Sequence, residues 1–214
     1  MRVGILGSGS VGQTLGMGFA EHGHDVMLGT RDPNKPELLR WKGSTPGKVS
    51  TGTFAEAALH GEVVVLAFLG RASEEVVRLA GPSNLEGKVV IDATNALEVS
   101  PGQPPGLFVG LTDSLGERHQ RLLPGSHVVK CFNIVPAPVM VHPEIHGTTP
   151  TMLIAGNDER AKAEVDRLLR EFGWTGTLDL GGIDAARWLE ALVPLWVRVA
   201  LKLGNFNVAF RVVS

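Results

Sequence analysis

The sequence predicts an α/β protein with a doubly wound, mainly parallel sheet. Three observations carry this. The run Gly7-Ser8-Gly9-Ser10-Val11-Gly12 follows a short apolar strand and opens a helical pattern, the strand-to-helix context of a G-x-G-x-x-G fingerprint. Apolar runs of strand length then alternate with helical periodicity along most of the chain. The stretch Glu62 to Phe68 contains a continuous apolar run, as a strand covered on both faces requires. The expected architecture is of the Rossmann type, with a small C-terminal α/β extension ending in a long helix. Residues 1–150 form the dinucleotide-binding domain, and residues 151–214 complete the substrate cleft.

Each element follows from local pattern. Val3 to Leu6 is the first strand, Val11 to Glu21 the first helix and Asp25 to Leu28 the second strand. Asn34 to Lys48 is polar and rich in Pro and Gly, which predicts a loop with a partial helix near Glu37 to Trp41. Lys48 to Ser50 is a short third strand. Thr53 and Glu56 have capping-box spacing at the head of the next helix. The apolar run within Glu62 to Phe68 is the fourth strand, Arg71 to Ala80 a helix, and Lys88 to Ile91 a fifth strand ending at Asp92. Ser114 to Leu123 is helical, and His127 to Phe132 is the sixth strand. The extension carries a strand at Thr151 to Ala155, a helix from Asp158 to Phe172 capped near Asn157, and a strand at Gly176 to Leu180. Its last helix, Ile183 to Leu203, contains Pro194, which predicts a bend. Leu189, Leu192, Val193, Trp196, Val199, Ala200 and Leu203 form a stripe, with Leu195, Val197 and Leu201 outside it. A helix apolar on more than one side is buried between surfaces, so a homodimer is expected through it.

Composition limits the function classes. The 214 residues suffice for one sizeable α/β domain and leave no room for a large separate substrate domain. A net charge of -2 gives no electrostatic reason to expect nucleic acid or an anionic membrane as partner. Leu189 to Leu203 is too short to span a bilayer and is interrupted by Arg198 and Lys202. Cys131 is the single cysteine, so no internal disulfide forms, and the N-terminus enters a strand directly without a signal-peptide layout. The expected compartment is the cytoplasm.

The glycine run predicts the cofactor site. Gly7 permits the tight turn, Gly9 lets a pyrophosphate approach the backbone, and Gly12 lets the helix pack on the strand. Ser8, Ser10 and Val11 lie in the same turn, where helix amides and dipole face the phosphates. An NAD site usually places a carboxylate about 20 residues on, at the end of the second strand. Here that position is occupied by Gly29, followed by Thr30 and Arg31. A carboxylate would repel a 2′-phosphate, whereas a hydroxyl and a forked guanidinium attract one. The expectation is NADP(H) over NAD(H).

Ligands of such folds sit at the carboxyl ends of the strands. Those ends carry Phe68-Leu69-Gly70, Asp92-Ala93-Thr94-Asn95 and Phe132-Asn133-Ile134-Val135-Pro136, the expected walls of the nicotinamide pocket. Asn95 and Asn133 can orient a carboxamide or carbonyl, or serve as turn residues. Asp92 reads as a turn cap and Lys130 as a structural lysine or a base. No Tyr is present, so a Tyr-x-x-x-Lys relay is excluded. No metal is expected, since none of the seven His has ligand spacing with further donors; His142 and His146, at i, i+4, flank Pro143 in a loop. No catalytic residue is assigned. Hydride transfer to a flavin-like ring needs stacking and orientation more than protein proton transfer.

Along its whole length the chain resembles the NADPH-dependent F420 reductases (F420H2:NADP oxidoreductases). The resemblance rests on Gly7 to Gly12, Gly29-Thr30-Arg31, Asn133-Ile134-Val135-Pro136-Ala137 and the segment Gly181 to Glu190 leading into Leu192-Val193-Pro194-Leu195-Trp196. The cytosolic module of the six-transmembrane metalloreductases is similar too. The resemblance implies direct hydride exchange between NADPH and F420 or a similar flavin-like acceptor. It implies Ser8, Ser10 and Val11 at the pyrophosphate and Thr30 with Arg31 at the 2′-phosphate. Phe68 and Leu69 would flank the nicotinamide, and Asn133, Pro136 and Ala137 would contact the second ring. Some archaeal members have His-Thr where this chain has Phe132-Asn133, and the Asp92 to Leu97 segment also differs from theirs. A reductase of another acceptor (flavin, quinone, metal chelate or imine) or a non-catalytic NADPH-binding sensor stays open at this point.

Overall fold

Ten strands and eight helices appear in a computed structural model that describes residues 1–99 and 105–213. In chain order they begin β1 (Arg2–Leu6), α1 (Ser10–Glu21), β2 (Asp25–Gly29), α2 (Pro36–Ser44), β3 (Lys48–Gly52), α3 (Phe54–His60), β4 (Val63–Leu66) and α4 (Ser73–Ala80). There follow β5 (Val89–Asp92), β6 (Leu97–Glu98), β7 (Gly106–Leu107), α5 (Leu115–Leu122), β8 (His127–Lys130) and α6 (Ala137–Val141). The chain closes with β9 (Met152–Gly156), α7 (Glu159–Glu171), β10 (Thr177–Asp179) and α8 (Ala186–Leu203).

Eight strands form one sheet in the order β10-β9-β8-β5-β4-β1-β2-β3. Every neighbouring pair is parallel except β8 with β9. The order reverses at β1 and β4, which places a crevice at their carboxyl ends. One face is covered through Leu15, Phe19, Trp41, Val139, Leu168 and Phe172, from α1, α2, α6 and α7. The other buries Phe54, Ala57, Val76, Val77 and Ala80 from α3 and α4. Both faces of the central strands are therefore apolar, which is why β4 is VVVL with all four residues buried.

The capping box at Thr53 and Glu56 forms as the spacing predicts. Several expectations are corrected. Asn34 to Lys48 holds a nine-residue helix rather than a partial one, because Pro36 suits a first turn and Leu38 and Trp41 bury one face. The Trp41 indole N–H also donates to the Gln13 carbonyl (3.0 Å). The cap of α7 is Asp158, which accepts from the Ala161 N–H (2.8 Å), whereas Asn157 accepts from the Ile183 N–H (2.9 Å). The β6–β7 hairpin and α6 have no counterpart among the sequence expectations, since two- and five-residue elements show no periodicity. The last helix starts with a 3₁₀ turn at Ile183–Ala185. The α8 stripe is buried only in part: Leu189, Val193 and Ala200 are buried, while Leu203 is exposed.

Candidate active site

The register pairs Leu6 with both Gly29 and Leu66, so the ends of β1, β2 and β4 lie level at the crevice. Gly7 turns there with φ +129°, and a Cβ on it would sit 2.2 Å from the Ala67 carbonyl oxygen. Only glycine accepts that backbone and that approach. A Cβ on Gly12 would meet the Gly7 carbonyl oxygen at 2.1 Å, whereas one on Gly9 would enter open space. The middle glycine thus faces a void and the outer two face backbone. At the head of α1 no side chain caps the helix and no acidic residue stands in the first turn. Orphan amides and the positive dipole end are left for an anion from outside the chain. Ser8, Ser10 and Val11 line this turn, and the Gln13 amide fixes it by donating to the Ser8 carbonyl (2.9 Å).

Thr30, rather than Gly29, faces the glycine loop. A Cβ on Gly29 would point into α3, 2.8 Å from the Ala57 Cβ. The Thr30 hydroxyl is buried and accepts from the Ser8 hydroxyl (3.1 Å), which leaves its own proton to donate. Arg31 is exposed and, among the described residues, makes no ion pair; Asp32 instead accepts from the Asn34 N–H (3.1 Å). The guanidinium is therefore not committed to the turn that carries it.

Across the crevice, the second half is built from the exits of β4, β5 and β8. Phe68 lies half-buried, edge-on to the His119 ring (5.8 Å between centroids), and Leu69 is 83% exposed. The Asn95 amide donates to the Asn133 carbonyl (3.0 Å). The Asn133 amide donates to the Leu189 carbonyl of α8 (2.9 Å). Asn133 is 4% exposed, and its Oδ1 has no hydrogen-bond partner. Pro136 and Ala137 follow at the head of α6, half-buried. Just before Asn133, Phe132 is fully buried with φ +65°, a left-handed backbone that an aromatic residue rarely adopts. Such strain of about 1–3 kcal/mol persists only where surrounding packing dictates it.

Beneath these loops lies a buried polar network whose members the sequence reveals only one at a time. Asp92 accepts from the Thr94 N–H (2.9 Å), the Thr94 hydroxyl (2.7 Å), the His119 Nδ1–H (3.0 Å) and the Lys130 ammonium (3.2 Å). Lys130 also reaches the Thr94 carbonyl (2.7 Å) and Glu190 of α8 (2.8 Å). His119 Nε2 lies 2.9 Å from the Ser73 hydroxyl. Asp92, His119, Lys130 and Glu190 are all buried. Burial alone would raise the Asp92 carboxyl; the nearby Lys130 and His119 outweigh it and hold the group well below the usual carboxylate range. Burial would likewise lower the Lys130 ammonium, but Asp92 and Glu190 overcome this and keep it above the ordinary lysine value. Lys130 is therefore a structural cation, not a resting base. Asp92 is more than a turn cap, since it joins three elements.

Ser73, His119 and Asp92 have the connectivity of a hydrolytic triad, and the chemistry differs. The Ser73 hydroxyl donates to the Gly70 carbonyl (2.6 Å) and is buried, so it has no route to a substrate carbonyl. Cys131 is buried too, and burial pushes its thiol far above the ordinary range, which removes a thiolate nucleophile. Among the described residues no three His, Cys, Asp or Glu converge as metal ligands, and no helix is long and apolar enough to cross a membrane. His142 and His146 lie around α6 and its following loop without such a group. A cleft of about 690 Å³ runs between α7 and β10, lined by Lys162, Arg170 and Trp174, away from the glycine loop.

Comparisons with known proteins place F420-dependent NADP reductases among the similar chains. Residues 2–96 match the family described as NADP oxidoreductase, coenzyme F420-dependent. A crystal structure from Arthrobacter sp. FB24, given as a candidate F420-dependent NADP-reductase, superposes with a TM-score of 0.95 at 39% identity, covering 100% of both chains. The F420-dependent NADP reductase of Methanothermobacter marburgensis is 28% identical over 100% of this chain and 99% of its own. Rat metalloreductase STEAP3 is 31% identical over 96% of this chain, which spans only 40% of that protein's length.

Proposed function

The chain belongs to the family of F420-dependent NADP reductases, and we propose that it passes a hydride between NADPH and coenzyme F420 by holding the two rings against each other at the strand ends. The observation that carries this reading is the uncapped, acid-free head of α1 beside Arg31, which makes no ion pair among the described residues. The pyrophosphate is assigned to the turn of Gly7, Ser8, Gly9, Ser10, Val11 and Gly12, and the 2′-phosphate to Thr30 and Arg31. Phe68, Leu69 and Asn95 are assigned to the nicotinamide, and Asn133, Pro136 and Ala137 to the acceptor. The dinucleotide supplies or takes up the hydride, and the protein supplies proximity and orientation. Leu69, so exposed in the free chain, gains cover from a planar ring.

In this reading residues 1–150 hold the dinucleotide and residues 151–214 complete the cleft through α8. A second copy of the chain covers the outer face of α8, where Trp188, Leu195, Leu201 and Leu203 are exposed. Light scattering at micromolar concentration should return a dimer mass; a monomer rejects this part. The compartment that suits a lone buried thiol is the cytoplasm.

The deciding experiment is stopped-flow absorbance of NADPH oxidation with oxidised F420, with FMN, FAD and a ferric chelate in parallel. Rapid transfer to F420 alone is the expected result. Tight NADPH binding with transfer only to another acceptor would replace F420 with that acceptor. Binding with no transfer to any of them would make the protein a sensor.

A further inference from the structure

Glu190 stands on α8, and its carboxylate is the meeting point of two other elements. It accepts from the Leu115 N–H (2.9 Å) and the Gly116 N–H (3.1 Å), the orphan amides at the head of α5, and from the Lys130 ammonium (2.8 Å) at the end of β8. Glu190 is 2% exposed, so these bonds are not shared with water. Two features show that the arrangement does more than fill space. The adjacent residue, Leu189, gives its carbonyl to the Asn133 amide. Pro194 carries no N–H, so the Glu190 carbonyl lacks its intrahelical donor and α8 is held less by its own ladder at that point.

We propose that Glu190, through Lys130, is the positioning residue of the acceptor half of the cleft. Its carboxylate locks the first two turns of α8 onto β8 and α5, and that lock sets the register of Leu189 against Asn133. Glu190 touches neither hydride partner in this assignment. It acts through Asn133, whose amide is held on the Leu189 carbonyl and whose backbone carbonyl holds the Asn95 amide, so that the loop assigned to the acceptor keeps one fixed location. Lys130 contributes in the same way from the other side, since it binds Glu190, Asp92 and the Thr94 carbonyl at once and so ties α8 to the loop that carries Asn95. The dinucleotide loop lies outside this lock. Its bonds run from Gln13 to Ser8, from Ser8 to Thr30 and from the Gly7 N–H to the Gly29 carbonyl, and none of these reaches the network.

The inference rests on the proposed hydride exchange for its kinetic readout and is independent of it in a second one. The test is Glu190→Gln in the full chain, with Glu190→Asp as the charge-keeping control. With F420 as acceptor, KM for F420 should rise by about tenfold or more in the Gln variant and by less in the Asp variant, while the dissociation constant for NADPH stays within about twofold. Hydrogen exchange without any ligand should speed up in residues 186–193 and stay unchanged in residues 7–21. A role in general stability alone predicts a lower Tm with F420 KM unchanged, or equal weakening toward NADPH and F420, and either result overturns the proposal. Should the wild-type protein fail to reduce F420, the functional reading falls and the exchange measurement still decides the lock. If Glu190→Gln does not fold, Glu190→Asp carries both readouts, and unchanged exchange at residues 186–193 together with unchanged KM rejects the inference.

Discussion

The half of the cleft proposed to hold the dinucleotide is made by backbone, with Gly7, Gly9 and Gly12 inside one turn of chain and each requirement local to its neighbours. The half proposed to hold the acceptor is made by side chains, with Asp92, His119, Lys130 and Glu190 drawn from four separate elements into one buried network. Local backbone requirements leave a spacing in the sequence that any reader can find. A network assembled from distant positions leaves four ordinary residues with nothing between them to announce a connection. The halves should therefore fail differently when perturbed.

The largest effect should come from the backbone half. Gly7→Ala forces a side chain onto φ +129° and to 2.2 Å from a carbonyl oxygen that belongs to the neighbouring strand's exit. The combined strain and overlap should remove more than about 3 kcal/mol of stability in chemical denaturation, and NADPH binding should vanish in a fluorescence titration. A variant that folds and binds NADPH like the parent would break the comparison outright.

Next comes the network. Asp92→Asn leaves Lys130 short of one of its two carboxylates in a buried site and should cost about 3 kcal/mol. The pH dependence gives its sign. The Asp92 carboxyl is depressed in the folded chain, so its contribution is fully present above the ordinary aspartate value of about 3.9 and declines as pH falls toward the folded value. Lys130 is raised, so its contribution is complete below about 10.4 and is lost as pH rises through the folded value. The parent protein's Tm should therefore drop steeply below about pH 4, and the Asn variant should start lower and fall less over the same window. Parallel acid limbs in the two proteins would show that Asp92 is not ionised in the fold.

These contrasts explain what is legible in the chain. The doubly wound order, the strand-to-helix glycine turn and the capping box follow from patterns spanning fewer than about ten residues, and they stand where the sequence places them. Distance from the first glycine identifies position 29 as the end of β2 but does not give the direction of a side chain; alternation along the strand turns Gly29 toward α3 and Thr30 toward the loop. Asn133 is legible as a polar residue at a strand end, whereas its bond to Leu189, 56 residues away, is not. Asp92 and Lys130 are each visible as charged residues ending apolar strands. A buried charge in an apolar strand demands a partner, and that demand is a signal in the sequence that joins the two. Glu190 lacks even that, because a glutamate on a helix is ordinary until the helix face is known to be inward.

A smaller change sharpens the specificity side of the backbone half. Arg31→Glu replaces attraction by repulsion at the assigned 2′-phosphate and should weaken NADPH by about 2 kcal/mol, with NADH unchanged. Since Arg31 is exposed and makes no ion pair among the described residues, folding stability should not move. Equal losses for both dinucleotides in isothermal titration would mean that the phosphate lies elsewhere.

The smallest effect separates local legibility from function altogether. Thr53 heads α3 with a complete reciprocal box: its hydroxyl accepts from the Glu56 N–H (3.2 Å) and the Glu56 carboxylate accepts from the Thr53 N–H (2.7 Å). Those backbone and hydroxyl bonds hold the Glu56 carboxyl below its ordinary value. Thr53→Ala deletes the hydroxyl and should cost about 1 kcal/mol, read as a small fall in Tm. Thr53 follows β3, and α3 packs against β1 and β2 and carries none of the residues assigned to either half of the cleft. NADPH affinity and acceptor KM should therefore both stay at the parental values. A shift in NADPH affinity alone would mean that α3 sets the level of Gly29 and Thr30, and the backbone half would then depend on a third helix as the acceptor half depends on α8.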